Sequence, residues 1–177
     1  MFVYIGNNET LKYSVKLAND LLNESKNFKT KITEIESFDM TDPDEVSGQM
    51  VWDELIDVHK KYKVQIKIYY PLWRFSKAYG YFTTSRPFDI NLNGYKLNRS
   101  PQSFVATLVH ELVHMSDNLS PYYYGHGDNS PVDKEMTAPY LIGRLAGETL
   151  GHLGDNMSNF TYKKKNSLCR RIKKLIV

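Results

Sequence analysis

Ser100-Pro101-Gln102-Ser103-Phe104-Val105-Ala106-Thr107-Leu108-Val109-His110-Glu111-Leu112-Val113-His114 reads as a single helix carrying two metal-binding side chains on one side. Ser100 offers a capping oxygen, Pro101 suits the first helical position, and no further proline or glycine intervenes before Pro121. Val105, Leu108, Leu112 and Met115 recur at spacings of three and four, which predicts a buried stripe. Beside that stripe His110 and His114 lie about 40° apart around the axis, since each residue advances the helix by roughly 100°. They form a two-pronged clamp for a divalent ion. Glu111 sits on the flank of the same face, where its carboxylate can take a proton from a water polarised by the ion without ligating the ion itself. Chance supplies such a pattern in roughly one chain in a hundred or fewer at this length. The alternative is a core helix with two satisfied histidines.

A catalytic zinc ion needs a third protein ligand if one position is to stay open. His126 lies twelve residues past His114 in Tyr122-Tyr123-Tyr124-Gly125-His126-Gly127, where flanking glycines let the backbone turn back toward the clamp. Glu135 is the competing third ligand, in what reads as the first turn of the next helix, where the helix dipole favours an acid in any case. Asp117 returns to the histidine face one turn on and is a candidate to hold a ligand imidazole by hydrogen bonding, or else a polar residue near a helix end. Tyr124, among three adjacent tyrosines, is a candidate to stabilise an oxyanion, although such residues more often pack a loop. A structural zinc site closed by Asp128 or Glu135 is a further reading.

Tyr79-Gly80-Tyr81-Phe82, Phe88-Asp89-Ile90-Asn91-Leu92-Asn93, the His110 to His114 motif and Gly125-His126-Gly127 together resemble the SprT-like metallopeptidase family over about residues 78 to 128. The resemblance implies a hairpin before the HExxH helix and a small zinc-dependent endopeptidase core. It also implies His110, His114 and His126 as ligands and Glu111 as the general base. Family members with a cysteine-rich zinc ribbon differ from this chain, whose one cysteine is Cys169.

At the start of the chain, Phe2 to Ile5 suits a short strand and Glu9 to Asn23 a helix buried through Leu11, Val15, Ala18 and Leu22. Thr30 to Phe38 reads as strand or loop. Asp42-Pro43-Asp44-Glu45 predicts a helix start running to about Tyr62 and burying Val46, Met50, Leu55 and Val58; His59 at its basic end reads as a surface residue. Val64 to Tyr70, Ala78 to Thr83 and Phe88 to Leu92 read as strands. In the last of these Phe88, Ile90 and Leu92 face the core while Asp89, Asn91 and Asn93 face out. One of these strands is a candidate to pair with a peptide backbone. Pro131 to about Leu153 reads as largely helical with a break at Pro139, and Glu148 and His152 as a solvated pair.

The 177 residues, 41% hydrophobic, suit one globular domain. No apolar run is long enough for a membrane span, and the N-terminus lacks the pattern of a secretory signal, so an intracellular or virion-associated location is expected. One cysteine cannot form an internal disulfide. After Asp155 the chain carries Lys163, Lys164, Lys165, Arg170, Arg171, Lys173 and Lys174 without an acid. Removing these seven from the net charge of +3 leaves −4. With Leu168, Ile172 and Leu175 they suggest a basic amphipathic helix that binds nucleic acid, an acidic partner or an anionic membrane surface, or that packs on the domain.

The expectation is therefore an α+β fold: one minigluzincin-like zincin domain over residues 1–160, with a small, mostly antiparallel sheet packed on helices, and a basic segment over 161–177. The expected function is zinc-dependent endopeptidase, acting on a protein or peptide substrate through water activated by Zn²⁺ and Glu111. The competing function is a non-catalytic interaction or assembly protein that uses its basic C-terminal segment.

Overall fold

The computed structural model describes residues 1–42, 46–73, 75–126 and 134–154, with side chains to residue 151. Among the described residues five α-helices and four strands follow in the order β1 (Phe2–Val3), α1 (Glu9–Glu24), α2 (Lys26–Thr33), α3 (Gly48–Lys61), β2 (Val64–Tyr69), β3 (Gly80–Phe82), β4 (Asp89–Asn93), α4 (Pro101–Leu119) and α5 (Ala138–Gly154). This is an α+β arrangement. The basic segment over 161–177 lies outside the described residues.

The sheet order is β1-β2-β4-β3, and the sheet is mixed with two of its three pairings parallel, where a mostly antiparallel one was expected. β1 pairs with β2 and β2 with β4 in parallel, and only β3 runs antiparallel to β4. The cause is connectivity. Three helices separate β1 from β2, and nineteen residues containing β3 separate β2 from β4, so each return has room to reverse twice. β4 lies inside the sheet, and residues Ile90 to Asn93 are all buried, so the alternation expected for it fails at Asn91 and Asn93. Asn93 is satisfied there: its Nδ2 donates to the Ala78 carbonyl and its Oδ1 accepts the Tyr95 amide, each at 3.0 Å.

α4 is the central helix. Ser100 caps it by accepting the Ser103 amide, and Pro101 occupies the first turn. Val105, Leu108, Leu112 and Met115 are fully buried as their spacing required, and Val109 and Val113 are buried as well, because α1, α3 and α5 all pack on it. Two other helices differ from expectation. α2 occupies the first part of the ambiguous Thr30 to Phe38 segment, capped by Ser25. α3 starts at Gly48 behind Ser47, while Pro43 to Glu45 lie outside the described residues. Gly48 is needed there for closeness: a Cβ would lie 1.8 Å from the Ile32 carbonyl oxygen, and the Gly48 amide bonds to Ile35 O.

His59 is buried, contrary to its reading as a surface residue. It stands four residues after Leu55 on the stripe that faces the core, and its Nε2 donates to Asn19 Oδ1 at 2.9 Å. Asn19 also accepts the Phe2 amide and donates to the Phe2 carbonyl, so the histidine buttresses the joint between α1 and β1. Burial pushes its pKa down from 6.5 to about 4. The unfolded chain therefore takes up a proton first, and stability from this group is complete above pH 6.5 and is lost as pH falls toward 4. In urea unfolding of the metal-free protein, His59→Gln is expected to lose about 1 kcal/mol less than the unaltered chain between pH 7.5 and pH 5. Equal losses would refute this role.

Candidate metal centre

The structure brings His110, His114 and His126 together, with their ligand atoms within 4.8 Å of one another. The Nε2 atoms of His114 and His126 are 2.9 Å apart, and those of His126 and His110 are 3.4 Å apart. Nitrogens about 2.0–2.1 Å from a common tetrahedral ion stand roughly 3.3–3.4 Å apart, so the two spacings to His126 are close to those such an ion requires. Burial, reinforced by the neighbouring rings, pushes His110 down to about 4 and His114 to about 3. Both imidazoles are thus neutral near pH 7, with lone pairs available to a cation. His110 also donates a ring N–H to the Pro139 carbonyl, which fixes its tautomer and leaves Nε2 as the donor toward the centre.

The loop that delivers His126 is tied to α4 by Asp117. Its Oδ1 accepts the Tyr124 amide at 2.6 Å, and its carboxylate also accepts the Gly125 amide. A Cβ on Gly125 would lie 2.7 Å from Asp117 Oδ2, so glycine is required there for close approach to the carboxylate. Asp117 acts through the backbone just before His126. Asp117→Ala is expected to weaken zinc binding about 10- to 100-fold in a calorimetric titration while leaving all three imidazoles in the chain. An unchanged affinity would mean the loop holds itself.

Tyr124 does not serve the centre. It is fully buried, its hydroxyl donating to Glu54 Oε2 at 3.1 Å and accepting from the Ser116 hydroxyl at 2.7 Å, and it anchors the loop to α3 and α4. Glu135, the competing ligand, is exposed in the turn before α5 and is not part of the cluster. Asp128 lies outside the described residues, as does the His152 side chain; Glu148 is half-exposed and 3.9 Å from Arg144.

Glu111 is 6% exposed beside the histidines. Its carboxylate accepts the Phe82 amide of β3, yet burial dominates and pushes its pKa up to about 7. The hydrogen-bond phase of the sheet explains the contact. Asn93 donates to the Tyr79 carbonyl, so two residues on Tyr81 faces β4, and the alternate residues Gly80 and Phe82 direct their amides away from it.

Tyr140 was not expected from the sequence. Its ring centroid lies 4.7 Å from that of His110 and 4.9 Å from that of His126, in the first turn of α5. Pro139 begins this helix and does not kink it, as suits a proline without an amide donor. The available signal is the run Gly143, Gly147 and Gly151, which marks a face able to approach another helix closely. A Cβ on Gly143 would lie 2.8 Å from Ala106 O and 3.0 Å from His110 Cβ. Tyr140 is three residues before Gly143 on that face. The resulting cleft, about 1030 Å³, lies between β3 with its preceding loop and α5, with α4 as its floor.

No family model matches the chain, and no curated protein or solved structure is significantly similar to it. The chemistry of the site therefore rests on its own geometry. Among the described residues no helix is long and apolar enough to cross a membrane.

Proposed function

We propose that the chain is a zinc-dependent endopeptidase of SprT-like, zincin type, with His110, His114 and His126 holding the ion and Glu111 as general base. The observation that carries this reading is the convergence of three imidazoles beside a buried carboxylate in an open cleft. A bound zinc ion would polarise the scissile carbonyl and lower the pKa of a water toward neutrality.

The protein supplies the rest. Glu111 accepts a proton from the attacking water and returns it to the leaving amine, and its pKa near 7 suits both transfers at neutral pH. The Phe82 amide keeps that carboxylate oriented. Tyr140 lines the cleft against two of the imidazoles and is the phenol that takes the oxyanion role first considered for Tyr124. An extended peptide lies along β3, whose edge borders the same cleft.

The test is cleavage of an unfolded protein by the full chain supplied with one equivalent of zinc, compared with Glu111→Gln. Cleavage that depends on the metal and on Glu111 supports the reading. Zinc binding without any cleavage overturns it in favour of a non-catalytic or structural site.

A further inference from the structure

The cleft extends away from the histidines toward the N-terminal end of α4, and its chemistry changes along that path. Ser103, Ala106 and Thr107 form the floor one to two helical turns before Glu111. Lys77 stands on the wall before β3 and Arg144 on the α5 wall. α5 runs antiparallel to α4, since Gly143 meets His110 and Ala106 while Gly147 meets Ala106 and Gln102. Arg144 therefore lies level with the small floor residues and away from Glu111.

A third cation lies behind the floor. Arg99 donates from Nη1 to Thr107 Oγ1 at 2.7 Å and to Ser103 O at 3.3 Å, and its guanidinium packs over the rings of Phe104 and Tyr79 at 4.2 and 4.9 Å. Its Nε and Nη2 are buried without a hydrogen-bond partner. A guanidinium removed from water in this way is costly without a counter-charge. Among the described residues none is supplied. Among the described residues that line the cleft the only carboxylate is Glu111, at the other end, and Glu148 engages Arg144 loosely at 3.9 Å. From Lys63 to His110 the chain carries seven lysines and arginines against one acid, Asp89, which is paired with Lys67.

We propose that this end of the cleft is a subsite for a carboxylate on the bound peptide, held between Lys77 and Arg144 over the field of Arg99. The small floor residues leave room for the group, and among the described residues no carboxylate lines this end of the cleft. That the occupant is a peptide rests on the peptidase reading; that it is anionic rests on the cations. The carboxylate belongs either to an acidic side chain or to a chain terminus.

The experiment is a fluorescence anisotropy titration of three dye-labelled, unstructured peptides onto zinc-loaded full chain carrying Glu111→Gln. One peptide contains aspartate and glutamate with an amidated C-terminus, one has asparagine and glutamine in their place, and the third is this neutral peptide with a free terminus. A carboxylate peptide should bind about tenfold tighter than the neutral amide, and the gain should shrink with added salt. A gain in the first identifies the side chain, and a gain only in the third identifies the terminus. In the Lys77→Gln, Arg144→Gln double variant the preference should fall to about twofold or less. Equal binding of all three peptides overturns the proposal. So does a preference that survives the double substitution, which would belong to positive charge elsewhere, such as the C-terminal segment. Cleavage by the unaltered chain is scored separately: no cleavage with the preference intact removes the peptidase reading and leaves the subsite, and cleavage without the preference does the reverse.

Discussion

Glu111→Gln is expected to lower hydrolysis of an unfolded protein by about 10²- to 10⁴-fold while leaving one zinc per chain. The substitution preserves size and an oxygen that can accept the Phe82 amide, and removes only the ability to take up a proton. It also replaces a carboxylate that is 6% exposed by a neutral amide, so folding stability should hold or rise. The pH profile adds a second readout. The base must be ionised, so kcat/KM of the unaltered chain should rise with pH through a midpoint at or below about 7, since a nearby cation favours the charged form. That ascending limb should be missing from any residual activity of the variant. Residual activity within tenfold of the unaltered chain would remove Glu111 from the chemistry.

His126→Ala is expected to have the largest effect on the metal itself. His110 and His114 remain on α4 after the change, but two imidazoles do not hold an ion as three do, and affinity should fall by more than about 100-fold, beyond what loss of a supporting hydrogen bond costs. Elemental analysis should read one zinc per unaltered chain and little in the variant. Thermal unfolding provides an independent check, because an ion at about 1,000 times its Kd contributes roughly 4 kcal/mol to the folded state. The upward shift in Tm on adding zinc should be present in the unaltered chain and absent from the variant. Retention of a full equivalent by His126→Ala would mean that the ion lies elsewhere.

The helix and its clamp were legible because local rules fix them: a serine cap, a proline in the first turn, an apolar stripe and two histidines four apart all agree. The placement of His126 was legible too, through the glycine and the proline that bend the loop, although what ties that loop down is Asp117 through backbone amides. What escaped depends on tertiary neighbours. Strand directions follow from how long connections return, and Asn91 and Asn93 are inside because β4 is covered on both faces. His59 is inside because its helix face meets β1 and α1. Tyr124 and Tyr140 are alike in sequence, and only the approach of α5 to α4 decides which ring meets the imidazoles.

That approach has a consequence for how the centre can drift over time. At Gly143 the two helices meet backbone to backbone, with nothing larger than a hydrogen atom between α5 and the Ala106 carbonyl and His110 Cβ. The same helix presents the Pro139 carbonyl to one imidazole and the Tyr140 ring to two. Neither contact can be retuned alone, because a bulkier residue at position 143 would act as a wedge and lift both away together. The position that bears no side chain is thus the one through which the geometry of the whole centre is inherited.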